Sequence, residues 1–158
     1  MDPNEWIATF RALHQRVKDH SATDDERQRH KAMREELARS LVATQGQSMP
    51  PGSPARRHFR VRQVFPVEVN NTYRVVTNDI SQAGFSALIN GSLKVGDEIS
   101  FSLTLSRGTD PITGRGHVAE VTKLQGSARV GFAIDSMNES DVERLEMALF
   151  DAVLARLK

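Results

Sequence analysis

Two clusters of side chains in this sequence carry groups that can bind a ligand. The first is Arg56-Arg57-His58-Phe59-Arg60-Val61-Arg62, which places four guanidinium groups within seven residues. A guanidinium is a planar fork that grips phosphate, bonds guanine O6 and N7 together, and stacks on ring faces. If residues 59–62 are extended, Arg60 and Arg62 point to the same side. The second cluster is Asp79-Ile80-Ser81-Gln82-Ala83-Gly84-Phe85. It offers a carboxylate that can accept from the guanine N1–H and N2–H₂ edge. It also offers a hydroxyl for phosphate or for fixing a turn, and a glycine free to take positive φ. Plainer readings stand beside these. The arginines can be a solvated basic strand, Asp79 can cap a turn, and Ser81 can satisfy backbone donors there.

The elements that must position these clusters differ in period along the chain. Over residues 3–45 the apolar residues follow a helical spacing. Trp6, Phe10, Leu13 and Val17 form one stripe, with Ile7 beside it. Pro3 suits the first turn of that helix. Ser21-Ala22-Thr23-Asp24-Asp25 breaks the pattern, and Thr23 with Glu26 fits a capping box. A second helix is expected to about Val42, with Met33, Leu37 and Leu41 in a row. The reading is an N-terminal helical hairpin over residues 1–45.

Residues 46–55 hold three prolines and two glycines in ten positions, a composition that continues neither a helix nor a sheet ladder. They are read as a linker, semi-rigid around Pro50-Pro51. Beyond it, period-2 alternation takes over, clearest in Ile99-Ser100-Phe101-Ser102-Leu103-Thr104-Leu105. Phe65, Val67 and Val69 alternate in the same way, as do Val130, Phe132 and Ile134. Turn signals separate these runs at Asn70-Asn71, Asn90-Gly91, Val95-Gly96-Asp97, Gly108-Thr109-Asp110-Pro111 and Gln125-Gly126-Ser127. Short strands joined by tight turns point to a small antiparallel barrel or sandwich. A last helix is expected over 139–157, with Ser140 as its N-cap and Glu143 at the capping-box position. Val142, Leu145, Leu149, Val153 and Leu157 make it amphipathic.

Composition narrows the function classes. The chain has 158 residues, 21 Lys+Arg against 20 Asp+Glu, and no cysteine. Net charge therefore gives no bulk attraction to DNA, and anion binding must come from local clusters. A disulfide framework, a thiolate metal site and a cysteine nucleophile are excluded. The five histidines show no zinc spacing, and no metal site is expected. No nucleophile–base pairing or Walker-type loop is visible, so no catalytic residue is assigned and the chain is read as not an enzyme. The N-terminus lacks a signal-peptide pattern, and no apolar run reaches the length of a membrane span. A cytoplasmic location without membrane insertion is the expectation. Residues 1–48 carry eight basic and eight acidic side chains, which disfavours a DNA-binding helix there.

Arg56-Arg57-His58-Phe59-Arg60 followed by Asp79-Ile80-Ser81-Gln82-Ala83-Gly84 resembles the PilZ family, receptors for the bacterial second messenger cyclic di-GMP. That family is marked by Arg-x-x-x-Arg before the first barrel strand, then by Asp/Asn-x-Ser-x-x-Gly about twenty residues later. Both motifs are complete here and in the same order. The resemblance covers about residues 55–158. It implies a mainly β fold with flanking helices: a six-stranded antiparallel barrel with a C-terminal helix over 56–158, after the N-terminal hairpin. It implies cyclic di-GMP as ligand and no cofactor. Arg56 and Arg60 would hold the ligand by guanine edge, stacking and phosphate, with Arg57 as a further phosphate contact. Asp79 would take a guanine edge, Ser81 would bond phosphate or the motif backbone, and Gly84 would let the chain turn back into its strand. Ala55 stands where members that bind a ligand pair tend to have arginine, which points to one ligand per domain.

The chain is thus expected to be an effector or adaptor, in which binding orders the linker before Arg56 and shifts the hairpin. The hairpin can cap the barrel, self-associate into an oligomer together with the C-terminal helix, or dock a protein partner. Two other readings remain: a degenerate PilZ module that serves as a nucleotide-independent interaction scaffold, and a different barrel that binds single-stranded nucleic acid. The aromatic content of 6% argues against the last, because stacking platforms would be needed.

Overall fold

The computed structural model describes residues 2–47 and 58–157. The chain divides into two compact units, residues 1–59 and 60–158. The second unit begins at Arg60. The expected linker, 46–55, lies outside the described residues from position 48 onward.

The first unit is built on α1 (Pro3–Lys18) and α2 (Asp24–Gln47). Each helix starts as its sequence dictates. Asp2 caps α1 by accepting from the Glu5 N–H at 2.9 Å, with Pro3 in the first turn. Ahead of α2, Thr23 and Glu26 form a reciprocal capping box, with bonds of 3.1 and 3.2 Å. Phe10 stacks on His30 with ring centroids 5.3 Å apart, and His14 Nδ1 meets His30 Nε2 at 3.0 Å. Phe10, Leu13 and Met33 are buried with them. α2 runs to Gln47, past the expected end at Val42. Ala43-Thr44-Gln45 contains no breaker, and the single Gly46 costs a helix only about 1 kcal/mol. Among the described residues no helix is long and apolar enough to cross a membrane.

The second unit holds six strands: β1 (Pro66–Val69), β2 (Tyr73–Ile80), β3 (Gly84–Ile89), β4 (Glu98–Leu103), β5 (Ile112–Leu124) and β6 (Ser127–Met137). All pairings are antiparallel, and the strands close into a barrel in the order β1-β2-β3-β6-β5-β4. The six-stranded barrel expected from the sequence is present, flanked by helices. Asn70 and Asn71 both take left-handed φ, 55° and 53°, as the tight β1–β2 hairpin requires. Gly126, at φ 81°, does the same for the β5–β6 turn. β4 stops at Leu103 rather than Leu105. The Thr104 N–H still bonds the Pro66 carbonyl at 2.9 Å, the last bond in register between β1 and β4, and Ser106–Thr109 then turn the chain.

Alternation fills the barrel. Ile99, Phe101 and Leu103 point inward from β4, with Val67 and Val69 from β1, Phe85, Ala87 and Ile89 from β3, and Val130 and Phe132 from β6. Phe85 meets Phe101 edge-on at 5.6 Å and Phe132 at 5.0 Å, at the barrel centre. The last helix, α3 (Glu139–Arg156), touches β5 and buries Leu145, Leu149, Phe150, Val153 and Leu154. Its N-cap is Asn138 and not Ser140. β6 continues to Met137, so the helix can start at once. The Asn138 carbonyl already accepts the Val142 N–H at 2.9 Å, which places Ser140 inside the first turn.

One irregularity in β2 decides what the barrel presents outside. Thr77 pairs with Ala87, but Asp79 pairs with Ser86, so Asn78 is an extra residue, a β-bulge. In a regular strand Thr77 and Asp79 would share a face. The bulge reverses the parity, so Thr77 faces in and Asp79 faces out beside Ser86. Thr77 is fully buried, and its hydroxyl donates to the Gln63 carbonyl at 2.6 Å and accepts from the Phe65 N–H at 2.9 Å. That hydroxyl ties down the segment leading into β1. Thr77→Ala should cost about 1–3 kcal/mol, because it strands the buried Phe65 N–H and the part-buried Gln63 carbonyl. Thr77→Ser keeps the hydroxyl and should recover most of that loss in urea unfolding. Equal losses for both variants would contradict the role.

Candidate functional site

The segment ahead of β1 lies antiparallel against the end of β2. Val61 N–H donates to the Ile80 carbonyl at 2.8 Å, and Ile80 N–H returns the bond at 2.9 Å. This bridge brings the first sequence cluster onto the second. Arg60 Nη2 donates to Asp79 Oδ1 at 2.9 Å, and both side chains are partly buried. Two partners absent from the sequence reading complete the arrangement. The Ser86 hydroxyl donates to the same Oδ1 at 2.7 Å. Arg129 of β6 reaches Oδ2 at 3.5 Å. Asp79 thus sits between two guanidinium groups on the outer face of the barrel, with a hydroxyl beneath it.

Burial alone would push the Asp79 carboxyl upward. The Ser86 hydrogen bond and the Arg60 charge outweigh that, with help from Arg129, and hold it below the ordinary value of 3.8. Asp79 is therefore an acceptor throughout the neutral and mildly acidic range. A depressed carboxyl stabilises the fold in full above the unfolded value and loses that contribution as pH falls through the folded value. NMR of the Asp79 carboxyl carbon should give a midpoint below 3.8 that rises in Arg60→Ala. A midpoint unmoved by that substitution would show that Arg60 does not hold the charge.

Ser81 and Gly84 shape the turn between β2 and β3. Ser81 is buried, its N–H donates to the Gly84 carbonyl at 2.8 Å, and its hydroxyl accepts the Ala83 N–H at 3.1 Å. Of the two roles expected for this hydroxyl, bonding within the motif backbone is the one seen here. Gly84 is not among the glycines with positive φ. A Cβ at this position would lie 2.1 Å from the Phe132 carbonyl oxygen. The expectation of positive φ is therefore corrected: Gly84 is needed for the close approach of β3 to β6. Gln82, in the same turn, donates to Glu146 of α3 at 2.6 Å, so the motif is bonded directly to the last helix. Arg62 is exposed. Arg56 and Arg57 lie outside the described residues.

The structure thus brings Arg60, Asp79, Ser81 and Gly84 together, and adds Ser86 and Arg129. The period-2 pattern of β3 offers a faint signal for Ser86, two residues after Gly84. Nothing in the sequence marks Arg129, because its place depends on the pairing of β3 with β6.

The comparisons with known proteins agree with this architecture. No curated protein matches the chain. Among solved structures, the barrel is similar to the Bacillus subtilis inhibitor of motility MotI/DgrA, with 18% identity and a TM-score of 0.59 over 68% of this chain and 57% of that one. It is also similar to Escherichia coli YcgR in complex with c-di-GMP, with 16% identity and a TM-score of 0.52 over 61% of this chain and 45% of that one. The PilZ domain of YcgR with c-di-GMP matches with 12% identity and a TM-score of 0.50, over 63% of this chain and 92% of that domain. The chain therefore spans about half the length of the two longer proteins, and at these identities the likeness is one of fold. The PilZ domain profile matches residues 54–151, the stretch that carries both motifs and the barrel, and on that ground the chain belongs to the PilZ domain family.

Proposed function

We propose that this chain is a cyclic di-GMP receptor that acts as an effector or adaptor and catalyses nothing. The observation that carries the reading is the Asp79 carboxylate, held ionised on the outer barrel face by Ser86 and Arg60. A carboxylate in that state is an acceptor for the guanine N1–H and N2–H₂ edge. The guanidinium beside it is a donor for phosphate or for guanine O6 and N7. Arg60 and Asp79 belong to the two family motifs, and c-di-GMP is the ligand named in the YcgR structures.

In this reading Arg56, Arg57 and Arg60 grip the ligand, and Asp79 reads guanine. Ser81 holds the turn, and Gly84 lets β3 approach β6. The ligand carries two negative charges, which the arginine segment offsets. Binding is passed on as a change of conformation or of partner contacts. Two features support that step. The boundary between the two compact units falls at Arg60, and the motif turn is bonded to α3 through Gln82 and Glu146. Self-association or partner docking through α1, α2 and α3 is the proposed output.

The test is calorimetric titration of cyclic di-GMP into the chain, with GTP as an anion control. Saturable binding that GTP does not reproduce supports the reading, and a stoichiometry near one fits Ala55. No heat at tens of micromolar protein, with no shift in Tm, would leave an interaction scaffold without this ligand.

A further inference from the structure

Resting on the cyclic di-GMP reading, we infer that Arg129 of β6 is a specificity-determining residue that reads guanine O6 and so rejects adenine. The two oxygens of Asp79 are not equivalent. Oδ1 accepts from Arg60 at 2.9 Å and from Ser86 at 2.7 Å. Oδ2 meets Arg129 at 3.5 Å, a long and weak contact. Oδ2 is thus the oxygen ready for a new donor. Along the guanine edge the order of groups is O6, N1–H, N2–H₂. A guanine that gives N1–H to Oδ2, with N2–H₂ turned to the Oδ1 side, places O6 beyond Oδ2, on the side of Arg129. The guanidinium then exchanges a long contact with a carboxylate for a bond to O6, and N7 lies next to it.

The surroundings leave room for this. Arg129 is paired in register with Leu88, and both side chains are about half exposed. Gly131 stands opposite Ser86, so no side chain from β6 covers the space in front of that hydroxyl. A Cβ on Gly131 would meet only Glu120, at ordinary contact distances of 3.6 and 4.0 Å. Adenine inverts the pattern. Its N6–H₂ would face the Arg129 donors, and its bare N1 would face the Asp79 carboxylate. A site built of fixed polar groups discriminates strongly against a ligand that leaves those groups unpaired.

The experiment titrates cyclic di-GMP and cyclic di-AMP into the full chain, Arg129→Ala and Gly131→Leu, with far-UV circular dichroism as a check on folding. Arg129→Ala should weaken cyclic di-GMP at least about tenfold, the loss of one good base contact. It should also narrow the preference over cyclic di-AMP by a similar factor. Gly131→Leu should block cyclic di-GMP while keeping the fold. The inference is overturned if Arg129→Ala stays within twofold of the unaltered chain. It is equally overturned if affinity falls with the preference unchanged, since that would make Arg129 only a positioning residue for Asp79. Failure of the unaltered chain to bind cyclic di-GMP would end the receptor reading, and this inference with it.

Discussion

Arg60→Ala is expected to weaken cyclic di-GMP binding about 100-fold or more while leaving the barrel folded. The Arg60 guanidinium sits 2.9 Å from Asp79 Oδ1, so it is already oriented before any ligand arrives. Hydrogen bonds to charged groups are worth about 1.5–3 kcal/mol each, and a 100-fold loss is about 2.7 kcal/mol. Loss of a single such contact therefore accounts for most of that effect. Asp79 would then retain Ser86 and Arg129 but lose its nearest cation. Arg60→Lys keeps the charge and removes the planar fork, so it should restore little of the affinity. Arg74→Ala is the control. That arginine lies on β2, as Asp79 does, but it is exposed and faces Glu68 at 3.9 Å, away from the cluster. Calorimetry on the three variants decides the matter. Arg60→Ala within threefold of the unaltered chain would remove Arg60 from the site, whatever the other arginines do.

Much of the fold was legible because it is written in local chemistry. The alternation of Ile99, Phe101 and Leu103 produced β4 with its inward face, and Asn70-Asn71 produced the hairpin at left-handed φ. Thr23 and Glu26 capped α2 as their spacing predicts. What stayed hidden depends on pairing between distant segments. The bulge at Asn78 turns Asp79 outward, yet Asn78 looks like any polar strand residue. Arg129 is 50 residues from Asp79 and joins it only because β3 pairs with β6. The same limit explains the misplaced cap at α3. Ser140 is a good N-cap by type, but the end of β6 sets where the helix begins, and that leaves Asn138 in the role. Of the candidate site, the motif residues were readable by type and order. The bonding of Ser81 within the motif backbone was one of its two readings, because it is local. The role of Gly84 was not readable, because it is defined by the Phe132 carbonyl that folding brings near.

Gly84→Ala is expected to be among the most damaging small substitutions in the barrel, alongside Gly116, whose added Cβ would meet the Ala133 carbonyl just as closely. An added Cβ would sit 2.1 Å from the Phe132 carbonyl oxygen and 3.2 Å from its carbon. Both atoms are backbone, so no side chain can swing away. β3 and β6 would have to separate where Gly84 pairs with Ala133, next to the buried Phe85–Phe132 contact. Overpacking of this kind costs about 1–3 kcal/mol and sometimes more, and a rigid neighbour places Gly84 at the upper end. At about 4–8 °C per kcal/mol for a unit of this size, Tm should fall by about 10 °C or more. The strain lies at the end of the motif turn, so ligand affinity should fall along with stability. Gly46→Ala provides the opposite sign. That glycine lies in α2 with nothing within 4 Å of the added carbon, and the change should stabilise the helix by about 1 kcal/mol. Paired thermal melts test both. A Gly84→Ala protein that melts with the unaltered chain would mean that β3 and β6 have slack at this point, and Gly84 would then need another reason for its place in the motif.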